Sequence, residues 1–527
     1  MIQNSLLTII LGLFLCAGVN SQEALKYQLP PEEIVKIVDA PATPLVSVSS
    51  DKTVIVIIER APIVTINELS EEELRIGGLR INPKTSGPSR LTHNKGFRTA
   101  NIDGTTVSEI EGMPGDPKLG APIWSPDGRM FAFTNTRPDE IELWVCDIAL
   151  KQARKIAGNI NMVFGTLISW LPDNKSLVYC ITDPGRGRAP EPSSVPEGPV
   201  VQENLGKQGQ AATFQDLLKD PADEAVFEYY AKSQLMLWNG LESVARGKPG
   251  MITGFSPSPD GHYLLVTTIA RPFSYVVPYY YFTSVTRILD INGNEVRILY
   301  EKPLTENLPR GYDIVLPGPR SFSWRPDKPA TLHWVEALDD GDYSREMKYH
   351  DQVFTLSSPF TGSPQKFLAT EMRFGGIVWG RDDFALISEG LSRTRIRITS
   401  SFNPSDPQNT KKKIQEYNTD DRYNNPGRFI TDQNEYGRNV LLFTDRGRAL
   451  LLSGNGSSDE GDRPFIDRYD IASGKTARLW RSAPPFYETV SEVLDISKGL
   501  LLTSRQSPTE VPNYYIRNLR NGRLTQV

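Results

Sequence analysis

Short apolar runs separated by polar turns recur along this chain, and no helical period is sustained through them. The clearest instance is IWSPDGRMFAFT at 123–134. Trp124-Ser125-Pro126-Asp127-Gly128 reads as a turn: Pro presets φ, Asp bonds its own backbone, and Gly supplies a positive φ. Met130 to Phe133 then form a short apolar strand. The same unit returns as SWLPDNKSLVYC (169–180), FSPSPDGHYLLVTT (255–268), SWRPDKPATLHWVE (323–336) and VWGRDDFALISEG (378–390). Weaker copies are SVSSDKTVIVIIE (47–59), LLFTDRGRALLLSG (441–454) and VLDISKGLLLTSR (493–505). With Pro126 as register, the copies fall at 50, 126, 172, 259, 326, 381, 444 and 497.

A unit of this kind cannot bury its own apolar face and must stack on a neighbour. A period of several strands without helical periodicity points to radially arranged sheets. The expected fold class is therefore all-β, a β-propeller of about seven blades, with the first of the eight copies only completing a blade. The shortest interval, 46 residues from 126 to 172, holds four strands and their turns, so the longer ones carry insertions. The largest insertion spans 183–250. It opens on DPGRGRAPEPSSVPEGPV, too rich in Pro and Gly for helix or central strand, and continues with Phe227, Tyr230, Leu235 and Leu237 on a partly amphipathic helix. Near the N-terminus, YQLPPEEIVKIVDAP (27–41) predicts a short helix, Asn67 to Ile76 a second acidic helix or turn, and GGLRINPKTSGPSR a loop. The expected organisation is a signal peptide at 1–21, an extension with the first propeller strands at 22–92, and propeller from 93 to 527.

Composition changes this picture little. At 527 residues the chain is too long for one simple core, a limit that blades sharing a radial core escape. The net charge of −5, with no basic stripe, argues against a nucleic-acid partner. Leu6 to Val19 is an apolar run of 14 residues, short for a bilayer and suited to a signal-peptide core, with Val19 and Ser21 as small residues before cleavage. Export to a periplasm or to the outside is expected, although no Lys or Arg precedes the run. A lipoprotein signal at Cys16 is the alternative, and bulky Leu15 fits it poorly. No later segment reads as transmembrane. Cys146 and Cys180 read as buried free thiols, with a disulfide between them, which an oxidising compartment would permit, as the alternative.

Chemistry is hard to find. The nearest approach to a GxSxG nucleophile turn is Gly456, Ser458 and Gly461, in a polar loop with no helix behind it. His93, His262, His333 and His350 make no metal-binding spacing, and LDDGD (338–342) and SSDEGD (457–462) lack the ligand pattern of calcium loops, so both read as solvated turns. No catalytic residue, metal or cofactor is expected. The densest aromatic patch is ARPFSYVVPYYYF (270–282). There Arg271 is placed to hold a carboxylate by paired hydrogen bonds, with Tyr275, Tyr279 and Tyr280 as rigid walls for a peptide. The competing reading is a strand whose aromatics pack a blade core.

Several stretches also resemble the glutamyl endopeptidase branch of the prolyl oligopeptidase superfamily. They include YQLPPEEIVKIVDAP, ELRIGGLRINP, APIWSPDGRMFAFT, VPEGPVVQENLGK, TFQDLLKDPADEAVFEYY, RPFSYVVP, GPRSFSWRPDKPATLHWVEALDDGD and SPTEVPNYYIRNL, in order along nearly the whole chain. The resemblance implies an N-terminal β-propeller that caps an α/β-hydrolase domain bearing Ser, Asp and His, in enzymes cleaving peptides after Glu. The chain reaches Val527 without that hydrolase domain, so no family catalytic residue maps onto it. The expected role is the gating and substrate-selecting half of an exported serine endopeptidase, with a peptide substrate and a separate hydrolase domain as partners. The alternative is a stand-alone periplasmic propeller serving as a peptide- or protein-binding scaffold.

Overall fold

The computed structural model describes residues 29–61, 63–190, 213–309 and 311–527. The signal segment, Cys16 and the 191–212 part of the insertion lie outside them. Two compact units are present, Met1–Ala42 and Thr43–Val527. The first contains the expected short helix, Glu32–Val38, with Glu32 and Glu33 in its first turn beside the positive helix end.

The second unit is built from successive four-stranded antiparallel sheets, as the repeat requires of a β-propeller. The first sheet takes Leu45–Val48, Val54–Arg60, Asn94–Asn101 and Val107–Glu109. The second takes Ile123–Trp124, Met130–Thr136, Ile141–Asp147 and Gln152–Ala157. The third and fourth share the long strand Ser243–Pro257, whose first half pairs with Ser233–Trp238 and whose second half pairs with Tyr263–Ile269. The fifth and sixth begin at Arg320 and Arg373, the eighth at Tyr487. In the seventh, the first strand is split: Arg428–Phe429 and Phe443–Thr444 both pair with Ala449–Gly454. Between the halves the chain leaves to form a separate hairpin, Thr431–Gln433 with Asn439–Leu441. Among the described residues such sheets number eight when the third and fourth, which share a strand, are counted separately, one for each copy of the repeat, where about seven blades were expected. The first copy heads a sheet of its own.

Burial explains the sequence pattern. Second strands such as Met130–Thr136 and Leu177–Thr182 are buried on both faces and hence read as continuous apolar runs. Outer strands such as Thr476–Arg481 are almost wholly exposed and mix polar with apolar residues. Apolar clusters fill the gaps between neighbouring sheets. Phe97 packs edge-on against Phe131 and Phe133 between the first and second, and Leu143, Trp170, Tyr179 and Trp238 pack between the second and third. Each fully buried aromatic contributes about 2–3 kcal/mol by removal from water. First and eighth sheets meet through Lys52 Nζ, which donates to Val493 O at 2.8 Å.

The repeated turn owes its shape to a serine as well as to Pro-Asp-Gly. Buried Ser125 Oγ donates to Asp127 Oδ1 at 2.7 Å and accepts from Met130 N at 3.0 Å. Ser49 with Asp51 and Ser258 with Asp260 repeat the arrangement. Gly128 has φ +71°, and a Cβ there would come within 2.9 Å of Asp51 N on the neighbouring turn. The turns of adjacent sheets therefore touch, Ser50 Oγ donating to Ser125 O at 2.8 Å.

Three local expectations are corrected. The insertion helix is Pro221–Ala231, capped by Asp220, and Leu235 and Leu237 lie beyond it on the strand Ser233–Trp238, where alternate residues face a sheet core. Helix covers only Ile66–Leu69 of the second acidic stretch, closed by a Thr65/Glu68 capping box, and Leu74–Ile76 is strand. That strand pairs with Leu79–Asn82, which pairs with Gly87–Pro88, so the supposed loop is a small sheet.

Candidate functional site

In an up-and-down sheet the first strand runs from one end of the ring to the other, and all the repeated turns gather at the far end. The hairpin Thr431–Leu441 lies at that turn end. Its loop is shaped by Asn434, whose Oδ1 accepts from Tyr436 N at 3.1 Å and Arg438 N at 3.0 Å. Asn434 Nδ2 donates to Pro326 O of the fifth sheet's turn at 2.7 Å, and Arg438 Nη2 to Pro257 O beside the fourth sheet's turn at 2.8 Å. Gly437, at φ +67°, sits so close to the second sheet's turn that a Cβ would lie 2.5 Å from Pro126 Cβ. Asp432 Oδ2 accepts from Lys52 Nζ of the first sheet's turn at 2.7 Å. One hairpin thus spans the turns of four sheets and closes this end of the ring.

Beneath it lies a cavity of about 740 Å³, walled by the hairpin and by first strands of the fifth and sixth sheets, including Ser323, Trp324, Gly376 and Trp379. His333 and Trp379 also line it, both buried, and His333 Nδ1 and Trp379 Nε1 have no hydrogen-bond partner among the described residues. Burial, with the nearby Arg325 charge, pushes the His333 imidazole down to about 4. Arg325 stacks on Trp379 at 3.9 Å and is held flat by Asp327 through two hydrogen bonds.

The aromatic patch is a loop rather than a strand. Arg271 follows the strand Tyr263–Ile269, and its guanidinium meets two carboxylates of this same chain: Nη1 to Glu224 Oε2 at 2.5 Å and Nη2 to Glu228 Oε2 at 2.8 Å. Both acids lie one turn apart on the insertion helix. Tyr275 Oη donates to Glu224 Oε1 at 2.7 Å, and that bond pushes its phenol up to about 12. Arg271 and Tyr275 are therefore brought together on the helix, while Tyr279 stands apart, with its ring 5.0 Å from Phe164 in an aromatic cluster around Phe227 and Phe282. Paired hydrogen bonds from Arg271 were expected, and their acceptors here are Glu224 and Glu228.

The acidic turns behave as expected with one exception. SSDEGD is an exposed turn closed by Ser457 Oγ on Asp462 Oδ1 at 2.6 Å. In LDDGD, however, Asp339 is buried rather than solvated, and takes His350 Nδ1 at 2.7 Å and Arg373 Nη2 at 2.8 Å. Burial alone would raise its carboxyl, but the bonds from His350 and Arg373 outweigh it and hold the group below the usual range. Arg373 Nη1 also reaches buried Asp351 Oδ1 at 3.0 Å, and Arg320 Nη2 takes Asp351 Oδ2 at 2.6 Å. The His350 ring is covered by Tyr343, whose centroid lies 3.9 Å away, so the Asp339–His350 pair locks a loop and faces no nucleophile. Ser458 Oγ donates to Gly461 O within its own turn. Cys146 and Cys180 are buried free thiols. Among the described residues no three acidic, His or Cys side chains gather as a metal site, and no helix is long and apolar enough to cross a membrane.

The hairpin was not foreseen. Its one trace in the sequence is the 63-residue interval between the copies at 381 and 444, which leaves room for TDQNEYGRN inside a first strand.

No protein-family model matches the chain. It is 33% identical over 528 residues to a probable chloroplastic glutamyl endopeptidase of Oryza sativa subsp. japonica, covering 94% of this chain and 56% of that protein. It is 32% identical over 532 residues to the protein of the same name in Arabidopsis thaliana, covering 95% and 55%. The chain thus spans about half the length of the curated relatives it matches. Among solved structures, a prolyl endopeptidase aligns over 90% of this chain and 55% of its own, with a TM-score of 0.41 and 12% identity.

Proposed function

As the chain is related over nearly all its length to the glutamyl endopeptidase branch of the prolyl oligopeptidase superfamily, in the propeller portion, we propose that it is the gating and substrate-selecting half of a serine endopeptidase. The observation that carries this reading is the identity of 33% across 94% of the chain. In this role the propeller binds peptides, and bond cleavage belongs to an α/β-hydrolase domain in which Ser attacks the peptide carbonyl with His as general base. The hairpin at the turn end favours one route: peptides approach from the opposite mouth of the ring, where first strands begin and the insertion helix is fastened by Arg271 and Tyr275. Tyr279 supports that side from the aromatic cluster beneath. We further propose export, on the strength of the apolar run Leu6 to Val19.

The test is a binding isotherm of fluorescent peptides on the full chain, beside a fluorophosphonate probe for activated serines. Saturable peptide binding without probe labelling is the expected result. No binding by any peptide up to millimolar protein, or labelling of a serine in this chain, overturns the reading. Export is checked by N-terminal sequencing of the mature protein, which should begin near Gln22.

A further inference from the structure

The cavity beneath the hairpin is lined by one cation that no acid balances. Arg438 is half-buried there and spends Nη2 on Pro257 O at 2.8 Å, and among the described residues no carboxylate pairs with it. Burial pushes its guanidinium down, as expected of a charge held without a counter-charge. Of the hairpin's two acids, Asp432 is turned to Lys52 Nζ at 2.7 Å and Glu435 is exposed, and no Asp or Glu lines the cavity. Its other polar lining includes the hydroxyls of Ser321, Ser323 and Thr431 and the amides of Gln433 and Asn439. The two strands that wall it are distorted at residues that line it. In Arg320–Trp324 the pairing skips from Arg320 to Ser323 and leaves Ser321 at φ +58°. In Arg373–Arg381 it skips from Phe374 to Gly376, which has φ +131°. Bulges of this kind leave a residue outside the ladder, and a serine in the left-handed region is a strained one, a combination met beside ligand sites more than in plain sheet.

A guanidinium without an acid, set among hydroxyls and amides from several elements, suits the several oxygens of a phosphate group. One arm of the Arg438 fork is already taken by Pro257 O, which leaves it poorly disposed to grip a planar carboxylate with both. At about 740 Å³ the cavity has room for more than the ion, and Trp324 and Phe374 give it apolar walls. The Trp324 ring is fixed, its Nε1 donating to Ser256 O at 3.0 Å. We propose that this cavity binds a small phosphate-bearing ligand, its phosphate on Arg438 and any organic body against Trp324 and Phe374. The site is separate from peptide recognition and stands whether or not the chain binds peptides.

Isothermal titration calorimetry on the full chain, with inorganic phosphate, AMP, adenosine and glutarate as probes, tests it. Phosphate or AMP should bind at a single site with a Kd of about 1 mM or tighter. AMP binding more tightly than phosphate identifies an organic phosphate as the ligand, and equal affinities identify free phosphate. Arg438→Gln should weaken binding by about tenfold or more. Because that variant also removes one of the hairpin's bonds, Ser323→Asp is measured beside it. It places a carboxylate in the cavity, leaves the hairpin's own bonds in place, and should abolish binding. Neither phosphate nor AMP binding up to about 10 mM overturns the site. So does adenosine or glutarate binding as tightly as the phosphate probes, or an unchanged affinity in either variant.

Discussion

Lys52 Nζ donates to Asp432 Oδ2 at 2.7 Å, joining residues 380 positions apart in sequence. Lys52 ends the first copy of the repeated turn and Asp432 begins the hairpin, so the bond ties the closure of the ring to its first sheet. The lysine side chain is only 17% exposed, which shields the pair from the screening that makes surface ion pairs nearly worthless.

Lys52→Met should therefore lower stability by about 1–3 kcal/mol, since it strands Asp432 beside Val493 O and Glu492. Gly437→Ala should act in the same direction, because its positive φ and the 2.5 Å approach to Pro126 leave no room for a Cβ. Urea unfolding monitored by tryptophan fluorescence measures both. Unchanged midpoints would mean that the hairpin is not docked on the turns.

Removing the shared arginine between two buried acids should cost more. Arg373→Met removes the guanidinium from Asp339 and leaves Asp351 with Arg320 alone, and breaking a buried pair from one side typically costs about 3–5 kcal/mol. Adding Asp351→Asn should recover part of the loss. A double variant no more stable than the single would show that the two charges do not depend on each other.

Stability should fall in mild acid through His333. Its imidazole is depressed to about 4 by burial and by Arg325, while the unfolded chain titrates near 6.5, so between these values the unfolded state binds more protons. Stability is full above pH 6.5 and is lost as the pH falls toward 4, by about 3 kcal/mol. His333→Gln should flatten that limb of the pH profile. An identical slope in the variant would assign the acid sensitivity to other groups.

Neither Cys146 nor Cys180 should react with a thiol reagent at pH 8 in the folded protein. Burial pushes both thiols up to about 12, which leaves roughly one in ten thousand ionised. Labelling followed by peptide mapping should find them modified only after denaturation. Fast modification of either would indicate local opening of the second or third sheet.

Much of the fold was legible in the chain because the repeated turn is a local structure. Ser125, Asp127 and Gly128 satisfy one another within six residues, and the apolar run after them is continuous because those strands are buried on both faces. Leu235 and Leu237 were misassigned to a helix for a related reason: a short apolar run fits either period, and only pairing with Leu177–Thr182 makes it a strand. The two cysteines fit either free thiols or a disulfide in the sequence, and the structure shows them free.

The site was far less legible. Arg271, Tyr275 and Tyr279 stood out by composition, yet what Arg271 and Tyr275 touch depends on a helix some 45 residues upstream that supplies Glu224 and Glu228, and Tyr279 packs on Phe164 instead. Arg320 and Arg373 look like any other arginines in sequence, and only the placement of Asp339 and Asp351 shows that both are paired within the fold. The sequence alone therefore determined the repeat and the all-β class, since these rest on contacts between near neighbours. The eight sheets, the hairpin that closes one end, and which charges remain free were decided by the tertiary structure, because they rest on contacts between residues hundreds of positions apart.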